Sequence, residues 1–264
     1  MLKTCFLSGL LSFVLILSQT AHATLLVNGE LTHEYQTTSG QYLNGLLEVH
    51  NAGPYPKHLR ISQGDLHPNG HSYSHDRSNR SWVQLSENQV LLQPGATKHI
   101  AYNVSVPQGL GSGTYWSTIN IEPLKADPHT QQTQQHGTVS FRVKQRLRYT
   151  INIMTHLGRG DSRISFQAPQ IMHNNHGMKS LRLGLVNNGQ FHSRPEVSAE
   201  VFDMQGNTLG TLSGNKRGLY PAANKQFEIP LQNLSPGQYR ALILAKDTKN
   251  GRVFGADMNL TIHP

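Results

Sequence analysis

The sequence predicts an all-β protein made of two β-sandwich domains, and three observations carry that expectation. Glycine and proline are abundant, at 24 and 13 of 264 residues, which favours strands and turns over helices. Residues Thr138 to Leu157 hold one long alternating stretch: Val139, Phe141, Val143, Leu147, Tyr149, Ile151 and Ile153 fall on odd positions, broken only by Gln145, and Arg142, Lys144, Arg146 and Arg148 fall on even ones. The two halves of the chain also repeat the same landmarks in the same order.

The chain opens with Lys3, an apolar run from Phe6 to Leu17 and the small-x-small pattern Ala21-His22-Ala23. This reads as a secretory signal peptide over 1–23, cut before Thr24. The apolar run is too short to span a bilayer, and nothing later approaches the ~20 apolar residues needed, so no membrane span is expected. Cys5, the one cysteine, leaves with the signal. The remaining chain has no disulfide, thiol nucleophile or thiolate metal site. About 240 residues remain, enough for two domains with cores of their own, expected over 24–155 and 156–264.

In the first half, Leu46 to Gly53 is a strand running into a turn. Leu92-Gln93-Pro94-Gly95 then turns into alternating residues from Ile100 to Pro107, and Gly113-Thr114-Tyr115-Trp116 opens a strand through Ile119 and Ile121. The long alternating stretch follows. A period of two makes one face apolar and the other cationic, and as one strand it would run about 50 Å, far beyond the usual five or six residues. The second half answers with Leu183 to Gly189, then Leu234-Ser235-Pro236-Gly237-Gln238-Tyr239 leading into the strand Ala241 to Ala245. Asn250-Gly251 makes a hairpin turn into a last strand, Val253 to Ile262. Pro236-Gly237-Gln238-Tyr239 before an apolar strand resembles the tyrosine corner of immunoglobulin-like sandwiches, so both domains are expected to be Ig-like. The segment His156 to Ser162 is the expected hinge.

A family resemblance follows from these residues. Val90-Leu91-Leu92-Gln93-Pro94-Gly95-Ala96, then Tyr115 to Pro123, then a polar loop over 125–137 and the long basic strand, resemble the first domain of PapD-like periplasmic pilus-assembly chaperones. The chain is similar to a divergent member of that family over about residues 30–155. The resemblance implies two Ig-like domains set at an angle, with the last strand of the first donating alternate apolar side chains to an incomplete subunit. Val139, Phe141 and Val143 then match the donor residues, by β-augmentation. By position Arg148 matches the basic residue that holds a terminal carboxylate in the interdomain cleft, where a guanidinium can bind bidentately. The family's second basic anchor is missing, because Leu31 to Gln36 holds no Lys or Arg; His33 and Tyr35 are the substitute donors there. The implied partners are fimbrial or other secreted subunits and an outer-membrane usher, and the implied location is the periplasm. The same alternation also fits an ordinary half-buried sandwich strand with a solvated basic face. The alternative function is therefore a structural or adhesive tandem Ig-like exported protein, associated with fimbriae.

Other features carry less. Net charge is +8; export argues against nucleic acid as a partner, and outside the alternating stretch the basic residues are spread over both halves, as a soluble surface requires. Among 15 histidines, His67, His71 and His75 share a polar segment with Asp76 and are candidate zinc or copper ligands, but Pro68, Gly70 and the neighbouring serines make it a loop, where spacing says little. His173 and His176 flank two asparagines. Arg159-Gly160-Asp161 is the tripeptide that integrins read, and Asn79, Asn103, Asn233 and Asn259 begin Asn-x-Ser/Thr sequons. No Gly-x-Ser-x-Gly elbow, Gly-rich phosphate loop or His-Glu-x-x-His helix occurs, so neither an enzyme nor a cofactor is expected.

Overall fold

The computed structural model describes residues 24–66, 76–125, 131–136, 139–144, 147–173 and 178–263, with 131–136 and 139–144 described as backbone only. The expected signal peptide and His67, His71, His75 and His176 lie outside the described residues. The first half contains β1 (Leu25–Asn28), β2 (Thr32–Thr37), β3 (Tyr42–Asn51), β4 (Lys57–Gly64), β5 (Val83–Leu85), β6 (Gln89–Leu92), β7 (Thr97–Ser105), β8 (Gly113–Pro123), β9 (Gln131–His136), β10 (Val139–Lys144) and β11 (Tyr149–Leu157). One sheet has the order β1-β3-β7-β5 and the other β2-β11-β8-β4-β6. Alternation builds the core between them: Leu47 and Val49 of β3, Ile100, Tyr102 and Val104 of β7, Ile119 and Ile121 of β8, and Ile151 and Ile153 of β11 are all buried in one cluster.

The chain changes sheets between its first two strands. β1 pairs antiparallel with β3, and after Gly29, whose φ of +97° suits glycine, β2 pairs parallel with β11. The second half contains β12 (Ile164–Phe166), β13 (Gln170–His173), β14 (Lys179–Asn187), β15 (Pro195–Phe202), β16 (Thr208–Lys216), β17 (Asn224–Pro230), β18 (Gly237–Asp247) and β19 (Val253–Ile262). Here β14 is flanked by β12 and β13 on one side and β17 on the other, and the facing sheet has the order β16-β15-β18-β19. Leu181, Leu183, Leu185, Val197, Ala199, Phe227, Ile229 and Ile243 fill the space between these two sheets.

The repeated landmarks are repeated structures. Asn51 and Asn187 each end a strand fully buried. The Asn51 amide donates to the carbonyls of Tyr55 (2.8 Å) and Leu92 (3.2 Å), and its oxygen accepts from Gly53 N–H. Asn187 donates to Phe191 (2.8 Å) and Leu219 (3.1 Å) and accepts from Gly189 N–H. Each strand end also exchanges backbone bonds with a neighbouring turn, at Gly95 and Ala96 in one case and Ala222 and Ala223 in the other. The tyrosine corner is present twice. Tyr239 donates to Ser235 O at 2.8 Å, and Tyr115, in the matching strand, donates to Gly111 O at 3.0 Å.

The alternating stretch is not one strand. It is divided into β10 and β11, and the reason lies in register. β11 pairs with β8 so that Tyr149 faces Ile121. Carried onward, that register would set Lys144 opposite residue 126, yet Lys144 faces Gln131, five residues further along. Leu147 and Arg148 belong to no strand, and β9 and β10 form a separate two-stranded sheet. At its other end β11 runs to Leu157 within the first sandwich, past the expected boundary at 155, and turns at Gly158 (φ +69°).

The paired landmarks give two expected outcomes. Asn187→Ala removes the side-chain donor to the Phe191 carbonyl and one of the two donors to the Leu219 carbonyl, and lowers unfolding free energy by about 1–3 kcal/mol. Ala222 holds φ of +59°, a left-handed value that its counterpart Gly95 adopts freely, so Ala222→Gly raises stability by about 0.5–1 kcal/mol. Urea unfolding of both variants beside the wild type measures each change.

Candidate functional site

β11 has two different ends. Along Asn152 to Leu157 it is covered on one edge by β8 and on the other by β2, whose ladder begins with Asn152 N–H donating to Leu31 O at 2.9 Å. Beyond Asn152, towards the hairpin, that second edge has no ladder partner among the described residues. The apolar row of β11 leaves the core over the same interval. Ile153 and Ile151 are fully buried and Tyr149 is half-buried, its hydroxyl donating to Leu25 O at 2.6 Å. Leu147 is 47% exposed, as is Leu31 at the start of β2. The next segment is β10, in which Val139, Phe141 and Val143 stand opposite His136, Gln134 and Gln132. The edge of β10 away from β9 is also unpaired among the described residues.

Arg148 sits at this open end. Its Nε and Nη2 donate to Glu122 Oε2 at 3.0 and 2.8 Å, and its side chain is 58% exposed. The expected position beside the interdomain cleft is therefore corrected. Eight residues, or about 26 Å of strand, separate Arg148 from His156 at the end that meets the second sandwich. His33 and Tyr35 are likewise not free donors. They lie on the inward face of β2, where His33 Nδ1 and the Tyr35 hydroxyl both meet the buried Tyr102 hydroxyl, at 2.5 and 2.7 Å. Tyr102 packs flat over Gly45, where a Cβ would overlap its ring, and burial raises its phenol well above the ordinary range.

The residue of β2 that does face the junction is Glu34. Its carboxylate meets His156 Nε2 at 3.3 Å and the ammonium of Lys249, from the turn between β18 and β19. The hydrogen bond from His156 and the charge and hydrogen bond of Lys249 outweigh burial and hold the Glu34 carboxyl down at about 2. His156 Nδ1 lies 2.8 Å from Thr114 Oγ1, which accepts from the backbone N–H of His192. Thr114 N–H also donates to Gln190 O at 2.8 Å. Beside this polar chain, Trp116 packs at a tilt against Tyr220 with ring centroids 4.7 Å apart, and Tyr220 against His192 at 4.9 Å. Trp116 and Met154, both on strands of the first sandwich, belong to the core cluster of the second. Burial pushes the His192 imidazole down to about 3, so it stays neutral.

Arg159, Gly160 and Asp161 line a cavity of about 400 Å³ in this junction, with His156, His192 and Lys249. Asp161 accepts from Arg252 Nη1 at 2.7 Å and Asn250 Nδ2 at 3.1 Å, and Gly160 lies against the Phe191 ring. Asp161 is thus tied to the turn between β18 and β19, while all three residues of the tripeptide are exposed. Asn79, a sequon residue, is fully buried and donates to Ile153 O and Thr155 Oγ1. Among the described residues no three His, Cys, Asp or Glu side chains come together as metal ligands, and no helix is long and apolar enough to cross a membrane.

The polar chain joining Glu34, Thr114, His156, His192 and Lys249 went unrecognised in the sequence. Glu34 and Lys249 are 215 residues apart, and no local spacing links them.

No protein-family model matches the chain, and no curated protein matches it. Among solved structures, the chain is similar to one from the chaperone–tip adhesin complex of CFA/I fimbriae biogenesis, at 14% identity and a TM-score of 0.46, over 92% of this chain and 100% of that one. It is similar to the YadV chaperone at 10% identity and a TM-score of 0.47, over 90% and 100%. A third is a chain of the CsuC–CsuE chaperone–tip adhesion subunit pre-assembly complex of Acinetobacter baumannii, at 12% identity and a TM-score of 0.45, over 89% and 98%.

The junction generates a pH dependence with a defined sign. A carboxyl held at about 2 contributes stability that is present above pH 4.5 and lost as pH falls towards 2. A histidine held at about 3 contributes stability that is present above pH 6.5 and lost as pH falls through the range down to 3. Thermal unfolding followed from pH 8 to 2 declines from pH 6.5 and more steeply below pH 4.5, and Glu34→Gln removes the added steepness while leaving the decline from pH 6.5 down to 3.

Proposed function

We propose that this chain is a periplasmic chaperone-like protein that binds fimbrial or other secreted subunits by strand donation, delivering them to an outer-membrane usher. The observation that carries the reading is the course of one apolar row. It runs buried along β11, emerges at the 47%-exposed Leu147 and continues in sequence through Val143, Phe141 and Val139, beside a backbone edge that β2 leaves open. An apolar strand with an unpaired edge is an aggregation hazard unless a partner covers it. A partner strand laid against it gains backbone hydrogen bonds along the edge and pockets for alternate side chains. The exposure of Arg148 at the base of this track, where it pairs with Glu122, supports a role for its guanidinium in meeting acidic groups of a bound subunit. The activity is binding, and it asks for no cofactor.

The test is affinity capture of the tagged chain from periplasmic extract, beside Phe141→Asp and Arg148→Ala. A single β-rich subunit recovered in near-equal amount with the wild type is the expected result. Phe141→Asp reduces its recovery about tenfold or more, because burying one large apolar side chain contributes about 1.5–3 kcal/mol. The unfolding midpoint of that variant is unchanged. Arg148→Ala changes stability by less than about 1 kcal/mol, as for an exposed ion pair. Joint loss of fold and capture on Phe141→Asp would make the odd positions ordinary core. Recovery of the chain itself in the sheared surface fraction would turn the reading to a structural or adhesive role.

A further inference from the structure

The donor segment already has one strand paired to it. β9 occupies one edge of β10 over six residue pairs, from Val139 opposite His136 to Lys144 opposite Gln131. We propose that β9 is an exchangeable cover: it holds this edge of β10 while no subunit is bound and is displaced by a subunit strand with apolar side chains at three alternate positions. The inference rests on the strand-donation reading and adds to it the second edge of β10 and a segment that must leave before that edge can be used.

Three features of the hairpin support exchange. First, its register is displaced by five residues from that of β8 and β11, so the β9–β10 ladder does not continue the ladder of the sandwich and can open without disturbing it. Among the described residues neither strand pairs with any other.

Second, the residues directly opposite the donor positions are wrong for a permanent partner. Val139, Phe141 and Val143 face His136, Gln134 and Gln132, and β9 reads Gln131-Gln132-Thr133-Gln134-Gln135-His136 without one apolar residue. Facing cross-strand pairs share one side of a sheet, and apolar pairs there are favoured by about 0.2–1 kcal/mol each over mismatched ones. A strand with three apolar residues in those positions therefore outcompetes β9 in the same backbone bonds.

Third, a lone two-stranded hairpin is marginally stable in water, so its opening costs little. β9 satisfies backbone groups and shields the edge from other chains without adding apolar surface of its own. An uncharged, glutamine-rich strand suits that role, since glutamine amides hydrogen-bond well to water.

The experiment locks the cover. Thr133 and Arg142 are direct partners, as are Gln135 and Ser140. Thr133→Cys with Arg142→Cys places two cysteines opposite each other in a chain whose only other cysteine is Cys5, and Gln135→Cys with Ser140→Cys is the second pair in case the first closes poorly. The probe is a labelled synthetic copy of β9 carrying Gln132→Val, Gln134→Val and His136→Val. Binding by the reduced form, weakened about tenfold or more on oxidation and restored by reductant, supports the cover, with circular dichroism unchanged throughout. Equal binding by both forms, or none by either, overturns it. Failure of both pairs to close overturns the pairing from which it is drawn. Capture from extract keeps the outcomes apart: if the wild type captures subunits while the lock has no effect, donation stands and the cover falls, whereas a wild type that captures nothing removes donation itself.

Discussion

The pairing of β11 governs the molecule. Its antiparallel ladder with β8 is continuous from Tyr149 to Leu157, while its parallel ladder with β2 spans only Asn152 to Leu157. The difference of three residues decides which end is closed. Where both neighbours are present, the buried polar and aromatic groups of three strands reach the second sandwich. Where β2 is missing, the backbone edge and the apolar row emerge together. A longer β2 would have covered both, and the strand would then be ordinary core.

Charge is distributed to the same effect. At the closed end Glu34 takes up Lys249 and His156, and Asp161 takes up Arg252, so these two junction acids are held by bases of the same chain. The aromatic cluster of Trp116, Tyr220 and His192 adds a dry contact, and Trp116 Nε1 donates to Leu66 O at 2.6 Å so that no indole donor is lost to burial. The two sandwiches are thereby joined by packing as well as by the connecting chain. At the open end, among the described residues, Arg148 pairs with Glu122 and its side chain is more than half exposed.

Much of this was legible in the sequence because it is written locally. The turns at Gly95 and Asn250-Gly251, the tyrosine corner at Tyr239 and the buried rows of β3, β7 and β11 all depend on residues a few positions apart. β16 shows the opposite case. Thr208 to Lys216 is almost wholly exposed, with no apolar alternation, and its strand character comes from pairing with β15 through two register shifts. The break between β10 and β11 was hidden for a related reason. Alternation fixes which face a side chain takes, but register depends on the partner, and the five-residue displacement is a property of two segments together. Glu34 carries no local signal of its role, because the acid that β2 turns to the junction takes its base from Lys249, 215 residues away.

The parallel ladder between β2 and β11 also sets a timetable. Residues 32–37 reach the surroundings early as the chain is made, yet their partners at 152–157 lie about 120 positions later, and loops of that length close slowly. The first sandwich cannot be completed until most of the first 160 residues have emerged. The second sandwich carries the same kind of constraint on a shorter span, since Ser162 Oγ donates to Asp247, 85 positions later. The half that carries the open strand is thus the half with the longer closing loop, and until that loop closes β2 itself is an unpaired strand in need of protection.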